Sequence, residues 1–377
     1  MKRRICYVTG TRADFGLMNS TLRAITDDRR LALSVLVTGM HLSERYGSTV
    51  HEIEAAGFDI GARVAVDVDE STGAAMARNI GQMVVGFVEA LQRVDPDVLL
   101  LLGDRGEMLA GAVAGIHLGI CIAHLHGGER SGTVDEPVRH AISKLAHLHL
   151  VATEAARERL LRMGEVGSAI HVVGAPGLDG MPGLATIDRV TLFRREGLDP
   201  GHPVVLLLYH PVLLEAADAG RQVETLLQGA ADAGAQVMAL MPNADAGADA
   251  IRLVLQRAQA EGRLALRTHL PRPEFVSWMA VCDAMLGNSS SGIIEAASFG
   301  TPVVNVGSRQ NRRERNANVV DVEASAGAVR EALQRALRSG RLPPANVYGD
   351  GRAASRIAER LATCSLSPQL LAKCNAY

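Results

Sequence analysis

The chain has 377 residues, which at roughly 150 residues per domain allows two domains or one large α/β domain and removes any need for disulfide or metal staples. Lys plus Arg number 39 against 41 Asp plus Glu, a formal net charge of −2 with no block of like charge, so neither a nucleic-acid groove nor a polybasic membrane patch is favoured. Hydrophobic residues at 47% and charged residues at 21% are ordinary for a soluble globular protein and set disorder aside.

In chain order, short runs of Val, Ile and Leu alternate with longer Ala-rich amphipathic segments. Strands are predicted at 5–9, 33–38, 98–102, 120–125, 148–152 and 171–173, with helices over 74–93, 107–118, 138–146 and 154–163. Unbroken apolar strands covered by helices indicate a parallel sheet buried on both faces. After a Pro/Gly-rich stretch at 174–183 the alternation resumes, with strands at 204–209, 237–241, 264–267, 284–286 and 303–306. The fold class is therefore α/β, two Rossmann-like domains (1–178 and 179–351) facing a central cleft. A last helix over 352–364, within a 352–377 segment, has no strand after it and is expected to brace the first domain.

In open α/β sheets ligands bind beyond the carboxyl ends of the strands, so the residues that follow each strand carry the chemistry. The first such loop, Thr9-Gly10-Thr11-Arg12-Ala13-Asp14, is neither GxGxxG nor a phosphate loop of NTPases. Gly10 and Arg12 at a helix start suit an anion, or else form a plain turn with Arg12 solvated. After 98–102 comes Gly103-Asp104-Arg105, where Asp104 is either a base held ionised by arginine or a helix N-cap.

The densest stretch runs from His124 to Glu136. His124 and His126 lie two apart at a strand end and are expected to share one face, with Gly127, Gly128 and Gly132 permitting close backbone approach. Glu129 with the two histidines reads as a zinc or iron ligand set, or these groups with Asp135 and Glu136 are general acids and bases. Metal ranks second, because no HExxH or other closed ligand pattern accompanies them. His140, His147 and His149 read as ordinary helix and strand residues.

In the second half His210 ends one strand, and Asn243 with Asp245 follows another, either as caps or as cleft groups. Gly287-Asn288-Ser289-Ser290-Ser291-Gly292, with Glu295 in the first turn, offers hydroxyls and N–H groups for a diphosphate and a carboxylate for a ribose diol; the competing reading is a Ser-rich cap. Arg309, ahead of Arg312, reads as a second anion contact or else as part of a solvated basic loop.

Cys6, Cys121, Cys282, Cys364 and Cys374 are odd in number and form no CxxC, which reads as a reducing cytoplasm without disulfide or zinc. The apolar run behind Met1-Lys2-Arg3-Arg4 is too short for a signal peptide, and the greasiest stretch, 109–125, contains Gly111, His117 and His124. A soluble cytoplasmic protein is expected.

Gly10-Thr11-Arg12-Ala13-Asp14, Gly103-Asp104-Arg105, His126-Gly127-Gly128-Glu129, Ser131-Gly132-Thr133-Val134-Asp135, Arg139-His140-Ala141-Ile142-Ser143-Lys144, His210-Pro211, and Gly287-Asn288-Ser289-Ser290 with Glu295 together resemble the hydrolysing UDP-N-acetylglucosamine 2-epimerases of the sialic-acid-pathway type, over nearly the whole chain. The resemblance implies the two-domain architecture of GT-B glycosyltransferases. It also implies conversion of UDP-N-acetylglucosamine and water into UDP and N-acetylmannosamine. UDP is eliminated to a 2-acetamidoglucal, and water then adds at C1 with reprotonation at C2 on the other face.

On the same resemblance Asp104 and Asp135 are the acid/base pair, with Glu129 and Glu136 supporting. Arg12, Arg105, His210, Ser289, Ser290 and Arg309 neutralise the diphosphate, with Asn243 and Gly292 in the substrate site. Glu295 holds the ribose, and Asp14 and Asp179 are sugar-side candidates. This chain has His126 where many members carry Glu, which makes a neutral imidazole a candidate for reprotonating C2. The chemistry implies no NAD and no metal, and the resemblance implies a homodimer or homotetramer. Rivals are a hydrolysing 2-epimerase of UDP-2,4-diacetamido-2,4,6-trideoxy-glucose on the way to legionaminic acid, a non-hydrolysing epimerase, a GT-B glycosyltransferase and a non-catalytic UDP-sugar-binding regulator.

Overall fold

A computed structural model describes residues 2–376. Its first sheet comprises β1 (Arg3–Thr9), β2 (Leu31–Thr38), β3 (Ile60–Val64), β4 (Val98–Leu102), β5 (Cys121–Leu125), β6 (Leu148–Val151) and β7 (Ile170–Val172), in the order β3-β2-β1-β4-β5-β6-β7. A second sheet comprises β8 (Val204–Leu208), β9 (Gln236–Leu240), β10 (Ala265–Arg267), β11 (Ala284–Gly287), β12 (Val303–Val306) and β13 (Val319–Val322), in the order β10-β9-β8-β11-β12-β13. All the pairings are parallel. Strand order reverses between β1 and β4 and again between β8 and β11, and such switch points are where ligands enter open α/β sheets.

The central strands form because they can be buried on both faces. In β4 and β8 every residue is buried, with alternate side chains feeding opposite cores: Leu100 lies with Tyr7 and Ala123, while Leu99 lies with Val8 and Ile122. The Arg12–Asp27 helix contributes Phe15, Met18, Leu22 and Ile25 at helical spacing to the first of those cores. β3 and β13 were not expected from the sequence. Both are sheet edges, and each lacks a continuous apolar run: β3 reads Ile-Gly-Ala-Arg-Val with only Ala62 buried, and β13 carries Asp321 among half-exposed valines.

The Ala353–Thr363 helix lies against the first domain, where Ala353, Ile357, Ala358 and Leu361 join its core. Its N-terminus is held by Asp179, whose carboxylate accepts from the Ala353 N–H at 2.9 Å and the Ala354 N–H at 2.6 Å. Asp179 is thus a cap, and the sugar-side role expected of it is corrected: both oxygens are committed to backbone. No helix among the described residues is long and apolar enough to cross a membrane. All five cysteines are free thiols.

The two domains touch at several points. Glu52 accepts from His269 at 2.7 Å, Arg45 pairs with Asp249, and Arg159 pairs with Glu314. The Gly132 N–H donates to the Arg309 carbonyl at 3.3 Å, and a Cβ at Gly132 would collide with the Ser308 carbonyl oxygen. Only glycine lets the 131–135 loop approach the second domain so closely.

Candidate active site

The loops at the strand ends of both sheets enclose one cavity of about 550 Å³. Asp104, Asp135, His126, Arg12 and Arg105 line it from the first domain, and His210, Asn243, Ser289, Ser290 and Arg309 line it from the second.

After β1, Thr11 caps the Arg12–Asp27 helix and Asp14 completes a capping box. Asp14 accepts from the N–H groups of Thr11 at 2.7 Å and Gly10 at 3.2 Å and from the hydroxyls of Tyr7 and Thr9. Its pKa is raised by burial, with the threonine contacts opposing. Asp14 borders the cavity, but its carboxylate is spent on the cap, which corrects its expected role beside the sugar. Arg12 faces the cavity from the first helical position, its pKa lowered to about 10 by burial with Glu52 partly compensating. A Cβ at Gly10 would overlap the Glu107 side chain, which would have to shift.

After β4, Asp104 does not cap the following helix; Arg105 is its N-cap residue and makes no side-chain cap bond. Asp104 pairs instead with Arg139, a fully buried guanidinium that also donates to the Glu129 carbonyl at 3.1 Å. Arg105 donates to Glu107 at 2.8 Å and lies 3.8 Å from Asp245 across the cavity.

After β5 the expectation that His124 and His126 share a face fails. His124 remains in the strand, where its Nε2–H donates to the Gly103 carbonyl at 2.7 Å and its Nδ1 accepts from the Ser143 hydroxyl at 3.1 Å. Burial pushes its pKa down to about 3. His126 has φ +59°, so the chain leaves β geometry there and turns the ring into the cavity. With His124 satisfied, the paired-histidine metal set is lost. No group of three metal-ligating side chains exists among the described residues.

His126 Nδ1 contacts Glu129, whose other oxygen pairs with Arg313 from the second domain. Burial would raise the Glu129 pKa, but the interactions with His126 and the Arg313 guanidinium outweigh it and hold the carboxyl down at about 2. Glu129 does not line the cavity; it lies behind the wall, between His126 and Arg313. Asp135 opens the Asp135–Leu145 helix, with Arg309 3.7 Å away. Glu136 turns away from the cavity to accept from the Ser131 N–H at 2.7 Å and to face Arg312, so it is a loop anchor rather than a reacting group.

In the second domain Asn288 clamps the backbone of His210, accepting its N–H at 2.7 Å and donating to its carbonyl at 2.8 Å. The His210 pKa is pushed down to about 3 by burial and then by Arg309 and Arg105, which keeps the ring neutral. Arg309 donates to the Asn288 carbonyl at 3.2 Å. Ser289 caps the five-residue Ser290–Ile294 helix. Asn243 and Asp245 bond each other at 2.5 Å; neither caps the Ala248–Ala260 helix, whose N-cap is Gly247.

One call in this segment is corrected: Gly292 packs on Val303 away from the cavity. Arg272 donates to one oxygen of Glu295 at 2.5 Å. Sequence reasoning gave no role to Arg139 or Arg313, because nothing in the chain near either one announces a carboxylate brought in by folding. It also passed over the apolar lining from Met76, Ala77, Ile80 and Met83 on the Gly73–Val94 helix.

Residues 23–362 match the family model described as UDP-N-acetylglucosamine 2-epimerase. The chain belongs to this family. Its relatives in the epimerase family include a Legionella pneumophila protein named UDP-N,N′-diacetylbacillosamine 2-epimerase (hydrolyzing), 50% identical over 377 residues and covering all of both chains. A Neisseria meningitidis UDP-N-acetylglucosamine 2-epimerase is 32% identical over 93% of this chain and 92% of its own. A Campylobacter jejuni GDP/UDP-N,N′-diacetylbacillosamine 2-epimerase (hydrolyzing) is 32% identical over 85% of each. Among solved structures, the Methanocaldococcus jannaschii epimerase in complex with UDP-GlcNAc and UDP superposes with a TM-score of 0.80 at 18% identity, covering 95% of this chain and 99% of that one. This likeness bears on fold alone, which is the epimerase family's GT-B-like pair of α/β domains.

Proposed function

We propose that the protein hydrolyses UDP-2,4-diacetamido-2,4,6-trideoxy-glucose, that is UDP-N,N′-diacetylbacillosamine, with inversion at C2, releasing UDP and the corresponding 2,4-diacetamido-2,4,6-trideoxy-mannose. The observation that carries this reading is the cavity that brings Asp104, Asp135 and His126 opposite Arg309, His210 and Ser290. A base on the first-domain wall takes the proton from C2 while the C1–O bond breaks and UDP departs, leaving a C1=C2 alkene. Water then adds its oxygen to C1 and a proton returns to C2 from the opposite face. Asp104, Asp135 and His126 are the groups available for these transfers. Arg12, Arg105 and Arg309, with the neutral His210 and the serine hydroxyls, stabilise the charge that gathers on the leaving diphosphate.

The choice of sugar rests on the full-length likeness to the Legionella protein and is supported by the apolar wall. Met76, Ile80 and Met83, with Val134 and Val138, offer contact to a C6 methyl and to acetamido methyl groups. A hydroxyl at C6 would need a hydrogen-bond partner there. UDP-N-acetylglucosamine, the sugar implied by the sequence resemblance, is the second reading, favoured by the Neisseria relative.

The test offers both UDP-sugars to the purified protein in heavy water, following UDP release and the C2 proton by NMR. A kcat/KM at least about tenfold higher for the diacetamido sugar is expected, from one or two well-made group contacts, with deuterium at C2 and free sugar as product. Equal or reversed preference overturns the sugar, and an epimer still attached to UDP overturns the hydrolysis.

A further inference from the structure

Glu129 is 1% exposed, and a carboxylate buried so deeply needs a counter-charge. It has two contacts of opposite kind: one oxygen meets His126 Nδ1 within its own loop, and the other meets Arg313, 184 residues away in the second domain. The Arg313 side chain is only 9% exposed, and its Nε, itself buried, has no hydrogen-bond partner. His126 sits in the left-handed region at φ +59°, a conformation costing on the order of 1–3 kcal/mol for a non-glycine residue unless its surroundings impose it. Gly127 and Gly128, the latter at φ +73°, form the turn that brings Glu129 back under the ring.

A carboxylate accepting at Nδ1 leaves the proton on that nitrogen and the lone pair on Nε2, the nitrogen left to the cavity. We propose that Arg313 and Glu129 are positioning residues that fix the tautomer and orientation of His126, so that contact between the two domains makes the imidazole competent for proton transfer. His126 and Glu129 both belong to the first domain, but the charge that keeps Glu129 an acceptor belongs to the second. An open arrangement leaves Glu129 without its cation and His126 without a fixed partner. The proton-transfer group is thereby set only when the diphosphate side of the cavity has closed over the sugar side. Arg313 also borders the cavity, so the competing role is direct contact with the diphosphate.

The kinetic part of the test rests on the proposed epimerase reaction; the spectroscopic part does not. In full-length protein labelled with 15N-histidine, with the His126 signals identified by their loss in His126→Gln, the wild type is expected to show Nδ1 protonated and Nε2 unprotonated at neutral pH. Arg313→Met and Glu129→Gln are expected to give mixed tautomers. With the preferred UDP-sugar, Arg313→Met is expected to lose about 100-fold in kcat, a typical share for one acid/base group, with KM and the Kd for UDP within about threefold of wild type. Arg313→Lys should recover part of the kcat.

A wild-type His126 protonated on Nε2 overturns the proposal, and that reading stands even if Arg313→Met does not fold. An unchanged kcat with raised KM and weakened UDP binding also overturns it and makes Arg313 a diphosphate ligand. Wild-type protein that turns over neither UDP-sugar while showing the Nδ1–H tautomer overturns the proposed function and leaves this arrangement of His126 in place.

Discussion

In the first domain the groups facing the cavity are held by side-chain ion pairs: Asp104 by Arg139, and His126 by Glu129 with Arg313 behind it. In the second domain they are held through the backbone: Asn288 grips the main-chain N–H and carbonyl of His210, and Arg309 rests on the Asn288 carbonyl. The difference fits the proposed reaction, in which Asp104, Asp135 and His126 transfer protons and His210, Ser290 and Arg309 meet the diphosphate. A group that gains and loses a proton must have its charge set by neighbours, so its supports are charged. A group that only grips a fixed anion must be in the right place, and backbone hydrogen bonds supply place without adding charge.

That contrast predicts separable defects. The largest is expected from Asp104→Asn: UDP release should fall by at least about a thousandfold, within the range for loss of an essential acid/base group, while calorimetry shows UDP affinity within about threefold. Weakened UDP binding with turnover retained would move Asp104 to the binding wall. The variant leaves buried Arg139 without its anion, so circular dichroism accompanies the assay.

Next comes Asn288→Ala, which removes both bonds to the His210 backbone. A rise of about tenfold in KM, equivalent to about 1.4 kcal/mol of lost binding, is expected, with kcat little changed. A kcat defect of the same size would erase the distinction between the walls.

The smallest effect is expected from Asp179→Ala. Losing the cap on the Ala353–Thr363 helix should cost about 1 kcal/mol in urea denaturation, with steady-state kinetics unaltered. A change in KM would restore Asp179 to the sugar site.

Much of this was legible in the residues. The central strands announce themselves as unbroken apolar runs, and residues expected at the ligand end of β1, β4, β5, β8 and β11 do line one cavity. Illegible were the edge strands β3 and β13, whose half-exposed positions carry no full apolar signal. His126 does not share a face with His124, because alternation of side chains holds only while the chain stays extended, and it turns left-handed at that residue. Asp14 and Asp179 looked like free carboxylates because a linear string does not say which N–H or hydroxyl will fold onto them.

The sequence by itself determined two parallel βα series and the inventory of reactive groups at their strand ends, because burial and periodicity are local properties that each segment carries in its own composition. Tertiary structure alone decided which of those groups face the cavity and which are consumed in holding it. Arg313 reaches Glu129 and Arg139 reaches Asp104 only after distant segments pack, and the free energy of a buried charge depends on the partner that packing brings to it.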